Sequence, residues 1–146
     1  RCIVRTDPAA EDKKSPRRQK IALEAAKQSG RGIIPRVYGA VSFSEMLLSA
    51  SKADIPLFCY EGEGTLPLGE ALKASVSRLG RREGFTVSVV IGPEGGFSTA
   101  EAERASAVGL IPVGLGKRIL RTETVSTFLL GALSYEFELG SASSNE

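Results

Sequence analysis

The sequence predicts an α/β fold: a mostly parallel sheet with helices on both faces. Two observations predict it. Short apolar runs alternate with stretches of helical periodicity, and that alternation builds parallel sheets covered by the intervening helices. The 146 residues are the length of one domain, and 42% apolar content is enough to bury one core.

The elements follow in order. Ser15-Pro16 opens a helix, with Ser as N-cap and Pro at the first helical position, and Gly30 is a natural stop. Ile21, Ala22, Ala25 and Ala26 supply its packing face, while Arg17, Arg18, Lys20 and Lys27 stay in solvent. Residues 33–37 read as a short strand and 44–51 as a short helix. An apolar strand covers 55–60, and a helix covers Leu68–Leu79 before Gly80. Residues 85–91 are nearly all β-branched or aromatic, the pattern of a central strand buried on both faces. Ser98 and Glu101 have capping-box spacing, so a helix runs over 99–108 and stops at Gly109. A buried strand over 110–115 and an amphipathic helix over 123–139 complete the domain, expected to span 1–139. The small, polar stretch 140–146 is expected to be a disordered tail. No internal repeat is visible.

Composition excludes several chemistries. There is no histidine, which removes Ser-His-Asp hydrolases, Cys-His proteases, His-ligated zinc and any histidine base. Cys2 and Cys59 stand far apart without a C-x-x-C pair, which suits a reducing, cytoplasmic compartment and gives no metal site. No apolar run approaches the eighteen residues of a membrane span, and no basic-then-apolar leader opens the chain. A chain that begins at Arg1 is expected to be part of a longer one. Charge is uneven. Residues 1–36 hold ten Lys or Arg against four acids, and the rest holds nine against thirteen. That footprint fits either a phosphate-rich partner or a solvated helix face.

Ligands in open α/β sheets bind at the carboxyl ends of the strands. Three loops leave expected strand ends: 60–64 (YEGEG), 92–97 (GPEGGF) and 114–124 (GLGKRILRTET), and they hold seven of the sixteen glycines. Glycine lets backbone approach a ligand closely, so these are either tight turns or the wall of a groove suited to a polar nucleoside such as an adenosine. None is a triphosphate loop, because Gly62-Glu63-Gly64-Thr65 lacks the lysine of that motif. Gly114-Leu115-Gly116 lacks the third glycine of a dinucleotide fingerprint. Glu61, Glu63 and Glu94 disfavour a polyphosphate and suit a cationic or ribose-bearing ligand. Lys117, Arg118 and Arg121 fall within five residues. They fit an anionic partner, unless Arg121 is an internal clamp on Glu123 or Glu94.

The segments 91–98 (IGPEGGFS) and 115–124 (LGKRILRTET) resemble the RsmE family of 16S ribosomal RNA uracil-N3 methyltransferases, of the SPOUT class. The likeness extends over 17–37, with Gln19-Lys20-Ile21-Ala22, Gln28-Ser29-Gly30-Arg31 and Ile34-Pro35, and spans most of residues 1–138. It implies a SPOUT-type fold with a C-terminal trefoil knot, a rarity among protein topologies. It also implies S-adenosylmethionine as cofactor, 16S ribosomal RNA in the small subunit as partner, and a homodimer, with no membrane and no metal. Implied cofactor-binding residues are Tyr60 and Glu61 in the first loop and Ile91, Gly92, Pro93, Gly95 and Gly96 in the second. In the third they are Leu115, Gly116, Ile119, Leu120, Thr122, Glu123 and Thr124. Two departures stand out. Val125 occupies a position where the family has a small residue, and packing is expected to adjust around it. Family members also carry an N-terminal PUA-like RNA-binding domain and a first strand and helix, and the resemblance implies that Arg1 falls after both.

The implied chemistry needs an acceptor nitrogen positioned near a methyl carbon. With no histidine, Glu94 or a backbone carbonyl is the expected acceptor of the uracil N3 proton. Arg121 is expected to face the base and Arg118 a phosphate, with Glu123 and Thr124 capping the last helix. Arg17, Arg18, Lys20, Arg31 and Lys117 are candidate RNA contacts. Two other readings remain: a nucleoside- or RNA-binding module without turnover, and a nicotinamide enzyme, which the missing third glycine disfavours.

Overall fold

A computed structural model of the chain describes residues 15–80, 84–118 and 120–139. The chain divides into two compact units, 1–49 and 50–146. Cys2, Ile119 and the polar tail 140–146 lie outside the described residues.

The first unit contains α1 (Ser15–Gln28) and the start of α2 (Phe43–Ala50). α1 ends as its sequence requires: Gly30 N–H donates to Lys27 O and Arg31 N–H to Ala26 O, which satisfies carbonyls of the last turn. α2 opens on a capping box, in which the Ser42 N–H donates to Glu45 Oε2 (2.9 Å) and the Glu45 N–H to Ser42 Oγ (3.3 Å). The strand expected over 33–37 does not form. Ile33 is 84% exposed, Pro35 has no N–H to give a ladder, and the segment's partner is a side chain. Gln19 Nε2 donates to Pro35 O (3.0 Å), and Gln19 Oε1 accepts from the Val37 N–H (2.8 Å).

The second unit runs β1 (Ile55–Cys59), β2 (Leu66–Pro67), α3 (Leu68–Leu79), β3 (Val87–Val90), α4 (Thr99–Ala107), β4 (Ile111–Gly114) and α5 (Thr122–Ser134). A π-helical turn, Tyr135–Leu139, follows α5. Among the described residues the sheet has four strands, all parallel, in the order β2-β4-β1-β3. Leu57 pairs with both Val89 and Ile111, so β1 is an interior strand and is almost wholly buried.

Strand residues two apart share a face. Ile55 and Leu57 of β1 and Val113 of β4 therefore point the same way, and they meet Leu68, Ala71 and Leu72 of α3 and Val125 and Leu129 of α5 in one core. On the other face Phe58, fully buried, stacks on Phe97 just before α4, with ring centroids 4.4 Å apart. Helices thus cover both faces. Val125, the departure from the resembled family, is buried in the core, so packing has absorbed its extra carbons.

Three strand and helix expectations need correction. Within the run over 85–91 only Val87–Val90 forms the strand, which is half-buried over most of its length and, among the described residues, lies at the edge of the sheet. Its β-branched residues report a fit to a pleated surface, which an edge offers as well as a centre. β2 was not expected; it is two residues long and carries a proline, tolerated because β2 is the opposite edge among the described residues. The final helix changes to π geometry at Tyr135, where Phe137 packs edge-on against Phe85.

The amino end of the sheet is tied by polar bonds. The Asp54 carboxylate accepts from the Thr86 N–H (2.8 Å) and hydroxyl (2.9 Å), and the Arg78 guanidinium donates to Asp54 O (3.1 Å). Because every strand is parallel, all the loops that follow strands emerge at the opposite edge.

Candidate active site

That opposite edge holds a cavity of about 940 Å³, lined by the loops after β1, β3 and β4 and by the start of α5. Each loop is shaped locally. After β1, the Tyr60 N–H donates to Val113 O (3.1 Å), continuing the ladder, and the Tyr60 ring folds over Gly62, where a side chain would collide with it. The Tyr60 hydroxyl reaches Thr99 Oγ1 (3.4 Å) at the start of α4. After β3, a turn closes with the Gly96 N–H on Pro93 O (2.8 Å), and Gly96 takes a φ of +67°, which only glycine adopts cheaply. After β4, Gly116 takes a φ of +103°. A Cβ at Gly95, Gly96 or Gly116 would meet no other atom within 4 Å, so bare backbone borders the open space there. The Thr122 hydroxyl donates to Gly92 O (3.3 Å) and joins the second loop to the third.

The sequence-derived candidates gather here with few exceptions. Tyr60, Glu61, Ile91, Gly92, Pro93, Gly95, Gly96, Leu115, Gly116, Leu120, Thr122 and Glu123 all line the cavity, as do Glu94, Arg118, Arg121 and Lys117. Thr124 does not; it is exposed on α5, with its N–H on Arg121 O (2.8 Å). Ile119 is outside the described residues. Arg17, Arg18, Lys20 and Arg31 belong to the first unit, on α1 and just beyond it. The capping expected of Glu123 and Thr124 is absent. Arg121 is the N-cap of α5 and its side chain makes no capping bond, so the helix opens toward the cavity with free donors in its first turn. Among the described residues no ion pair joins Arg121 to Glu94 or Glu123, so the internal clamp does not form.

Sequence reasoning missed Cys59, Thr65, Val113 and Val125, while Gly62, Phe97 and Gly114 belong to the three expected loops without having been singled out. Cys59 and Val113 belong to the strands beneath the loops, and period-two alternation from Leu57 and Ile111 could have pointed to them. Thr65 holds the first loop through its hydroxyl on Gly62 O (3.3 Å). Burial pushes the Cys59 thiol from 9.0 up to about 11, so at neutral pH it is an uncharged part of the floor.

The cavity volume falls within the range of small-molecule sites. Three cations (Lys117, Arg118, Arg121) and three carboxylates (Glu61, Glu94, Glu123) share its wall. Such a site can hold a neutral or cationic nucleoside in the backbone groove while presenting guanidinium groups to an anion. Among the described residues no group of three or more Cys, Asp or Glu is placed to hold a metal ion, and no helix is long and apolar enough to cross a membrane.

Comparison with known proteins gives a consistent set of relatives. Residues 1–134 match a family described as an RNA methyltransferase domain. Ribosomal RNA small subunit methyltransferase E of Bacillus subtilis is 40% identical over 139 residues, covering 95% of this chain and 54% of that protein. The Synechocystis protein of the same name is 35% identical over 124 residues, covering 83% and 38%. Among solved structures, the Neisseria gonorrhoeae enzyme of that name, bound to S-adenosyl methionine, superposes with a TM-score of 0.72 at 31% identity, covering 94% of this chain and 52% of that one. A Legionella pneumophila protein described as a methyltransferase, in complex with S-adenosylmethionine, gives 0.73 at 30% identity, covering 93% and 52%. The chain spans about half the length of the curated relatives it matches.

Proposed function

The chain belongs to the RNA methyltransferase domain family, and from that premise we propose that its cavity binds S-adenosylmethionine and that the protein methylates N3 of a uracil in 16S ribosomal RNA. One observation carries this reading: three glycine-bearing loops, from three different strands, wall a single nucleoside-sized space. The residues fit the cofactor. Backbone free of side chains at Gly95, Gly96 and Gly116 leaves room for a flat base and a ribose, and Glu61 and Glu94 favour a cation.

When bound, S-adenosylmethionine supplies an electrophilic methyl group. The chain's own residues do the rest. The loops hold the acceptor in line, which is most of what a displacement at carbon requires. Arg121, exposed at the mouth, faces the uracil and stabilises the negative charge that develops when N3 loses its proton. Glu94 or a backbone carbonyl of the second loop accepts that proton. Arg118 and Lys117 hold phosphate, and Arg17, Arg18, Lys20 and Arg31 are the RNA contacts of the first unit.

Residues 1–139 form the methyltransferase domain in this reading, with the trefoil knot of SPOUT proteins at its C-terminal end, and the setting is cytoplasmic. A homodimer is part of it too: Phe128, Leu130, Tyr135 and Leu139 are large apolar side chains left exposed on and after α5, and a second copy would cover them.

A module that binds without turnover is the second reading, which the basic charge of residues 1–36 also fits. Calorimetry with S-adenosylmethionine followed by a methylation assay on small-subunit RNA tests both. Binding with transfer to uracil N3 is the expected result. Binding without transfer supports the module, and no binding overturns both.

A further inference from the structure

The segment 33–37 forms no strand, and among the described residues no strand pairs with it, yet it is held in place. Its hydrogen bonds explain how. In a parallel ladder one residue of the neighbouring strand donates its N–H to the carbonyl of residue i and accepts, at its own C=O, from the N–H of residue i+2. The Gln19 side-chain amide does the same work here, donating to Pro35 O (3.0 Å) and accepting from the Val37 N–H (2.8 Å). A single side chain thus does the work of a neighbouring strand across residues 35–37.

Arg36 and Tyr38 lie side by side at this anchor, and Ile34 precedes them. Ile34 is 48% and Tyr38 47% exposed, and the Arg36 guanidinium sits 5.6 Å from the Tyr38 ring centroid. An arginine at an exposed aromatic ring, preceded by an aliphatic side chain, is a surface on which flat bases stack.

We propose that Ile34, Arg36 and Tyr38 form a stacking strip for unpaired bases of the RNA substrate, held in place by Gln19 as a positioning residue. Charge selects the occupant. Residues 15–38 hold six Lys or Arg and one acid, Glu24, which lies 3.6 Å from Lys27. Arg17, Arg18 and Lys20 flank Gln19 in the same turns of α1, so phosphate-binding groups and the anchor of the strip share one helix. A protein strand adding to this edge would bring no charge to match. Bases rather than duplex are specified, because stacking needs a free π face.

This inference rests on the RNA-methylating reading, and the test separates the two. Anisotropy of a labelled uridine-rich RNA of about eight nucleotides is measured with the full chain, beside uptake of S-adenosylmethionine and methyl transfer. Tyr38→Ala is expected to weaken binding about tenfold, and Tyr38→Trp to keep it. Arg36→Ala is expected to weaken binding and to reduce the salt slope by about 0.7. Lys73→Ala, an exposed charge change on α3, is expected to leave binding as it was. Thermal midpoints equal to the parent's show that the variants fold. Wild-type RNA affinity in Tyr38→Ala overturns the strip, as does equal binding of a duplex of the same length. Tight binding of a valine-rich peptide, indifferent to Tyr38→Ala, assigns the segment to a protein partner and overturns it as well. Loss of binding in Tyr38→Ala in a protein that takes up no S-adenosylmethionine leaves the strip standing and removes the function.

Discussion

The Thr122 hydroxyl donates to the Gly92 carbonyl at 3.3 Å and links two loops whose residues are thirty positions apart. Both residues line the cavity, so this bond sets the spacing between two of its walls. Thr122→Val keeps the shape and removes the donor. A net hydrogen bond is worth about 0.5–1.5 kcal/mol, so affinity for S-adenosylmethionine should fall roughly two- to tenfold by calorimetry, with little change in thermal midpoint. Unchanged affinity would show that the loops hold their places independently.

Gly92 is hemmed in from one side. A Cβ there would lie 3.1 Å from the Phe97 ring and 3.4 Å from Gly96 Cα. Phe97 itself stacks on the buried Phe58, so it has little room to yield. Gly92→Ala should therefore cost about 1–3 kcal/mol in urea unfolding, the scale of overpacking. Adding Phe97→Leu should return part of it. A fully stable Gly92→Ala protein would contradict the packing described.

Arg121 caps α5 without using its side chain and has no acidic partner among the described residues. Arg121→Ala should slow methyl transfer by about a hundredfold, near 3 kcal/mol, as loss of an anion-stabilising donor does. Cofactor affinity should hardly move. Equal transfer rates in the variant and the parent would take Arg121 out of the chemistry.

Cys59 reports on the cavity floor through pH. Its thiol is held up at about 11 rather than 9.0, a two-unit rise, so below pH 9 it carries about one hundredth of the thiolate of an ordinary cysteine. Iodoacetamide labelling at Cys59, followed by peptide-resolved mass spectrometry, should be correspondingly slow at pH 8 and accelerate toward pH 11. The folded state keeps a proton that the unfolded chain releases between pH 9 and about 11. The thiol's contribution to stability is therefore complete below pH 9 and is lost as pH rises through 11. Labelling at the rate of a free thiol at pH 8 would contradict the burial.

Local chemistry was the most legible part of the fold. The Ser98–Glu101 capping box and the glycine stop after Leu68–Leu79 sit where the sequence places them, because both depend only on neighbours. The Ser42–Glu45 box is of the same kind and starts α2 one residue before the expected helix. Strand identity failed where partners were distant. Residues 33–37 have a strand's composition but pair with a glutamine side chain, and nothing in the segment encodes Gln19. β2 is two residues held by register with Val113 and Gly114, which no local pattern reveals. The cavity loops were legible for a global reason: parallel strands send every following loop to one edge. The floor was not, because Cys59 and Val113 are core-packed residues, and only the parallel arrangement puts the ends of their strands beneath the loops.

The strand order carries a consequence for biosynthesis. β1 and β2 are made in succession yet never touch, because β4 slots between them. A nascent chain that has released residue 67 must keep that slot vacant until residues 111–114 emerge. During that interval two strand edges offer unpaired backbone to any passing polypeptide. The vulnerable period is thus the time taken to translate α3, β3 and α4, and it closes when one four-residue wedge arrives.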